Sequence, residues 1–148
     1  MPGVYDIRQE VDENDDYWAN SGMVTGIVTP NENGEKVAIL GFTDNAQNLA
    51  VTISVPAKKG IYEMGLSDLE KYISITNTNT NNMGEDYTLL VSKTMSLNVK
   101  EIETSTGMFA TVRHIKGSFN GVMVHIDSQT DMEYAHTVTG EFEINQFF

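Results

Sequence analysis

From Leu49 to Val55 every second residue is apolar. Leu49, Val51, Ile53 and Val55 alternate with Ala50, Thr52 and Ser54. A period of two gathers all four on one face of a pleated strand, whereas a helix would scatter them. The alternation returns at Met95, Leu97 and Val99, against Ser96, Asn98 and Lys100. It returns again at His136, Val138, Phe142 and Ile144, against Thr137, Thr139, Glu141 and Glu143. Each such strand has one face to bury, and turn signals spaced about 10 residues apart point to a sandwich or barrel of antiparallel strands.

Turn signals separate the runs. Met23 to Thr29 is a β-rich run closed by Pro30, and the following Asn31-Glu32-Asn33-Gly34 ends in the strongest short hairpin signal, Asn-Gly. Lys36 to Thr43 reads as the returning strand, and Asp44 to Gln47 as the next turn. Pro56 to Gly60 is a loop before a short strand over Ile61 to Met64. Ser67-Asp68-Leu69-Glu70 has capping-box spacing and predicts one helical turn. Strands follow at Tyr72 to Ile75 and Tyr87 to Val91, around a polar loop from Asn77 to Gly84. Phe109 to Ile126 is long, and its apolar residues fall in two phases: Ile115, Phe119 and Met123 against Val122, Val124 and Ile126. That pattern predicts a bulge at Gly117 or Gly121. Ser128 to Glu133 is the last turn.

The expected fold is therefore all-β: an antiparallel β-sandwich of eight or nine strands, with a closed β-barrel as the alternative. At 148 residues the chain suits one core. Residues 20–148 are expected to form that single domain. Residues 1–19 read as an acidic N-terminal arm, because Glu10, Asp12, Glu13, Asp15 and Asp16 crowd together there.

Charge and composition exclude several functions. Nine Lys and Arg against 21 Asp and Glu leave a net charge of −12, which repels phosphate backbones and argues against nucleic-acid binding. With no cysteine there is no disulfide framework, thiolate zinc site or cysteine nucleophile. The longest apolar run, Val37 to Leu40, is far short of the roughly 20 residues of a transmembrane helix. The opening residues show no signal peptide. They fit either a cytoplasmic protein or a mature chain whose leader was removed.

Several blocks resemble a known family. They are Trp18-Ala19, Ile39-Leu40-Gly41-Phe42, Leu49 to Ile53 and Gly60-Ile61-Tyr62. Two later blocks carry most weight: Ile115-Lys116-Gly117-Ser118-Phe119-Asn120-Gly121 and Val138-Thr139-Gly140-Glu141-Phe142-Glu143-Ile144. Over about residues 17–146 the chain resembles a family of all-β domains of unknown function found in lipoproteins and secreted proteins of Bacteroidetes. The resemblance implies an antiparallel sandwich outside the cytoplasm, periplasmic or at the cell surface. It transfers no catalytic residue. The lipobox cysteine of lipoproteins has no counterpart here.

Three constellations could carry chemistry. Asp12, Asn14 and Asp16 alternate like the opening of an EF-hand loop, but the sixth and twelfth positions hold Tyr17 and Met23 where that loop needs Gly and Glu. What remains is a looser calcium site or a solvated arm. His114, His125 and His136 could form a zinc site. His114 and His125 project to opposite faces of one strand unless it bends, and a metal site needs at least two of the three within about 7 Å. Among Tyr17, Trp18, Tyr62, Tyr72, Tyr87 and Tyr134, flat rings could stack on sugars. Trp18, with Tyr17 beside it, is the leading ligand-binding candidate, against the alternative that Trp18 plugs the core. No Gly-x-Ser-x-Gly elbow or phosphate loop is present.

The expected function is a non-enzymatic binding or interaction module outside the cytoplasm, its partner a protein or a glycan and a homodimer one of its forms. The alternatives are a carbohydrate-binding module, with or without calcium, a structural or assembly subunit of a surface complex, and a hydrolase whose acids or histidines converge in a cleft.

Overall fold

The structure is a computed structural model, which describes residues 4–11, 15–19, 24–44, 49–65, 71–77, 88–105, 110–126 and 131–145. Ten strands lie among these residues: β1 (Val4–Val11), β2 (Asp15–Ala19), β3 (Val24–Pro30), β4 (Lys36–Asp44), β5 (Leu49–Pro56), β6 (Gly60–Gly65), β7 (Tyr72–Asn77), β8 (Thr88–Thr104), β9 (Val112–Ile126) and β10 (Glu133–Asn145). They form one sheet in the order β2-β1-β10-β9-β8-β7-β5-β4-β3, with β6 also paired to β8. Every strand pair is antiparallel. The all-β, antiparallel class expected from the alternation is what the chain forms, and the sheet is not closed into a barrel. The helical turn expected at 67–70 and the loop expected at 77–84 fall outside the described residues, apart from Asn77, which ends β7.

The sheet folds over onto itself. Phe42 on β4 and Phe142 on β10 stand five places apart along the strand order. Their rings nevertheless meet edge to face, with centroids 6.5 Å apart. Phe119 on β9 packs on the same Phe142 ring at 6.3 Å. Around these three lie Leu40, Ile53, Ile73, Leu97, Ile115 and Ile144, all fully buried. Fully burying one such aliphatic side chain is worth roughly 1.5–3 kcal/mol. The fold is pinned at one margin, where the Val28 N–H donates to the Ala110 carbonyl at 3.0 Å and Ile27 bridges Thr111.

β8 needs its 17 residues because two short strands share one of its edges. β7 takes Thr88–Val91 and β6 takes Thr94–Val99. Where the ladder with β7 ends, the Ile73 N–H donates to the buried Ser92 hydroxyl at 3.1 Å. That side chain supplies the acceptor the backbone no longer offers.

Two expectations are corrected. Residues 4–11 and 15–19, read from their charge as an arm, are the hairpin β1–β2, and β1 runs in register along β10 from Val4↔Asn145 to Val11↔Val138. The free edge of β10 presents unpaired N–H and C=O groups, and β1 satisfies them. The bulge expected at Gly117 or Gly121 is at neither. β9 pairs with β10 without a register shift, and the shifts with β8 fall at Ser92/Thr94, Val99/Glu101 and Glu103/Thr104, which leave Lys93, Lys100 and Arg113 as the extra residues. Ile115, Phe119 and Met123 face the core together, while Val124 is buried outside that core cluster. β9 thus has apolar residues on two faces and needs no change of phase.

The two glycines serve close approach instead. A Cβ on Gly117 would lie 2.6 Å from the Asn98 carbonyl oxygen and 2.7 Å from the Phe142 ring. One on Gly121, where φ is +151°, would lie 2.2 Å from the Thr94 carbonyl oxygen. At the β3–β4 turn the Asn-Gly signal holds. The Asn31 Oδ1 accepts from the N–H groups of Asn33 and Glu35, both at 2.9 Å, and Gly34 takes φ +81°.

Gly121→Ala is expected to destabilise by well over about 1 kcal/mol, through both its φ and the clash with β8. Gly65→Ala, with nothing within 4 Å of the added carbon, stays within about 0.5 kcal/mol. Urea unfolding of the two variants checks the contrast.

A second outcome concerns Tyr62, whose hydroxyl donates to the Lys58 carbonyl at 2.7 Å. Burial raises its pKa above the ordinary 10.0. A raised folded pKa contributes stability that is complete below the unfolded value, near pH 10, and is lost as pH climbs through the folded value. Tyr62→Phe is expected to flatten the alkaline fall in unfolding midpoint between pH 9 and pH 11.

Candidate functional site

The inner row of the β9–β10 pair runs from core to solvent. Ile144 faces Ile115, and Phe142 faces Gly117. Further along, His136 faces Met123 and Tyr134 faces His125. Met123 is fully buried, His136 and His125 are half-buried, and Tyr134 is 40% exposed. The apolar row therefore ends in three flat polar-edged rings at the open end of the inner face.

These rings stack. His125 lies 5.1 Å from Tyr134 with 20° between planes, and 4.8 Å from His136 with 27° between planes. The His125 Nδ1 and the His136 Nε2 are 2.7 Å apart. One of these nitrogens must donate and the other accept, so at least one ring presents a neutral lone pair. The Tyr134 hydroxyl reaches the Met132 sulfur at 3.9 Å. Beside the stack, Lys93 and Glu133 form an exposed ion pair at 2.8 Å.

The expected three-histidine set divides. His125 and His136 come together, well inside the 7 Å that a shared ion would need. His114 lies eleven residues back along β9, about 36 Å at strand rise. Its Nδ1 lies 2.6 Å from the Asn145 Oδ1 and its Nε2 lies 3.7 Å from Glu101. Among the described residues no group of three or more His, Asp or Glu side chains gathers as a metal cage.

Tyr17 and Trp18 lie on β2, at register positions opposite Gln9 and Arg8. Asp12 and Asn14 fall outside the described residues, and Asp16 is the register partner of Glu10. Tyr87 also falls outside them, whereas Tyr62 packs against the core. Glu141 and Glu143 lie opposite Ser118 and Lys116, and Lys116 in turn lies opposite Glu101 on β8. Cross-strand charge of alternating sign suits a solvated outer face.

No protein-family model, curated protein or solved structure matches the chain. Among the described residues no helix is long and apolar enough to cross a membrane.

A double-mutant cycle between His125 and Tyr134 is expected to return a coupling of about 0.2–1 kcal/mol, the range for stacked cross-strand pairs. A cycle between His114 and Tyr134 should return none. Denaturant unfolding of the singles and doubles gives both numbers.

Proposed function

We propose that the chain is a non-enzymatic binding module acting outside the cytoplasm, and that the open end of its inner face receives the ligand. The observation that supports this is the His125–Tyr134–His136 stack. Rings carried on two regularly paired strands are held in place before a ligand arrives, so little ordering entropy is left to oppose binding. The compartment follows from the resemblance of the sequence blocks around Gly117 and Gly140 to secreted domains.

A carbohydrate ligand is the second reading, and the exposed ring of Tyr134 supports it. The assembly reading draws on two exposed apolar side chains elsewhere, Ile27 on β3 at 49% and Ile61 on β6 at 68%.

Thermal melts against a plate of glycans, peptides, calcium and chelator test the proposal. A ligand at about 100 times its dissociation constant adds roughly 2.7 kcal/mol. For a chain of this length that raises the midpoint by roughly 5–10 °C. The expected result is a shift that Tyr134→Ala abolishes. A calcium shift reversed by chelator would move the site to the acidic hairpin. A flat plate together with a dimer in solution would overturn the module in favour of the assembly subunit.

A further inference from the structure

We propose that His125 and His136 form a two-histidine site for a borderline-soft divalent transition-metal ion, with copper(II) preferred over nickel and zinc. The inference rests on the reading that the open end of the inner face is the binding site, and it adds a metal ion to that site.

Geometry carries the argument. Two imidazole nitrogens that share a cation at 2.0–2.1 Å stand about 2.9–3.4 Å apart, for angles between square and tetrahedral. Here the His125 Nδ1 and the His136 Nε2 are 2.7 Å apart. The ring centroids lie 4.8 Å apart, so the two nitrogens face each other nearly head-on, and both rings must turn by roughly 30–45° for their lone pairs to meet on one ion. The backbone need not move, since β9 and β10 stay in register from Glu133↔Ile126 to Asn145↔His114. The two donors also come from different strands, so the fold itself closes the chelate.

Chemistry selects the ion. Neutral imidazole suits copper, nickel and zinc, whereas calcium and magnesium take oxygen donors. No cluster of three or more carboxylate or imidazole groups lies among the described residues to favour a hard cation. Affinity at a nitrogen site rises through nickel to copper and falls again at zinc. Nearby stand a phenol, Tyr134, and the thioether of Met132, which lies 3.9 Å from its hydroxyl. Both are donor types that copper accepts. The proton now shared between the two nitrogens moves, on binding, to the far nitrogen of its own ring. Both facing lone pairs then point to the ion.

The test uses the whole chain, stripped with chelator and titrated with copper, nickel, zinc and calcium salts by calorimetry. The expected result is one copper ion per chain, bound more tightly than nickel or zinc, and no calcium uptake at the pair. His125→Gln and His136→Gln are each expected to weaken copper binding by about 100-fold or more, because the second donor acts at high effective concentration. His114→Gln, at the far end of β9, should stay within about two-fold. Electron paramagnetic resonance of the copper-loaded wild type gives a readout independent of the variants' folding: nitrogen hyperfine structure from two imidazoles. Loss of one nitrogen in each pair variant supports the site. No copper uptake, uptake undiminished in both pair variants, or a wild-type spectrum without two imidazole nitrogens overturns it. In any of those cases the melts with glycans and peptides still report on the binding module by themselves.

Discussion

The ring of Phe142 can lie over β9 only because Gly117 opposite it has no side chain. Phe142 is also the ring that Phe42 meets from the other half of the sheet, and the one on which Phe119 packs. The meeting of the two halves of the sheet at this ring thus depends on one missing methyl group. Filling that space would push the ring away from β9 or the chain away from the Asn98 carbonyl, and either would part the two halves. Gly121 does the same for the backbone of β8 further along the strand. Two glycines four residues apart let β9 sit tightly between its neighbours, and the inner row then extends without a break to the histidines.

Much of this was legible from the chain alone, for local reasons. The alternation at Leu49 to Val55, the Asn33-Gly34 turn and the last strand, with its row through Ile144, depend on neighbours in sequence, and each is where its residues place it. What escaped was set at a distance. Five acids near residue 13 outweighed Val4, Ile7 and Val11, yet whether those residues pair depends on the vacant edge of β10. Two phases in β9 look like a bulge only when one face is assumed to be wet, and Val124 is buried as well.

The candidate site had a signal in the sequence. A turn over Ser128 to Glu133 leaves His125 and His136 equally far from its two ends, so a hairpin there must bring them close. The true register, with Tyr134 opposite His125, offsets them by one diagonal step. Diagonal neighbours on one face of a sheet still touch when the side chains are rings. Asp12, Asn14 and Asp16 had drawn attention by motif, and Trp18 by size. Neither cue registers where the core row runs out into solvent, which is a property of the paired strands.

The pairing of β1 with β10 also sets a timetable. Val4 on β1 and Asn145 on β10 are register partners, so the β1–β2 hairpin cannot dock until residues 133–145 are available to pair. Until then residues 4–11 wait without their partner strand. Glu10, Asp12, Glu13, Asp15 and Asp16 give the waiting segment a strong negative charge. Like charges oppose the annealing of unpaired strand edges, so the cluster that disguises these strands in the sequence also suits them to wait for β10.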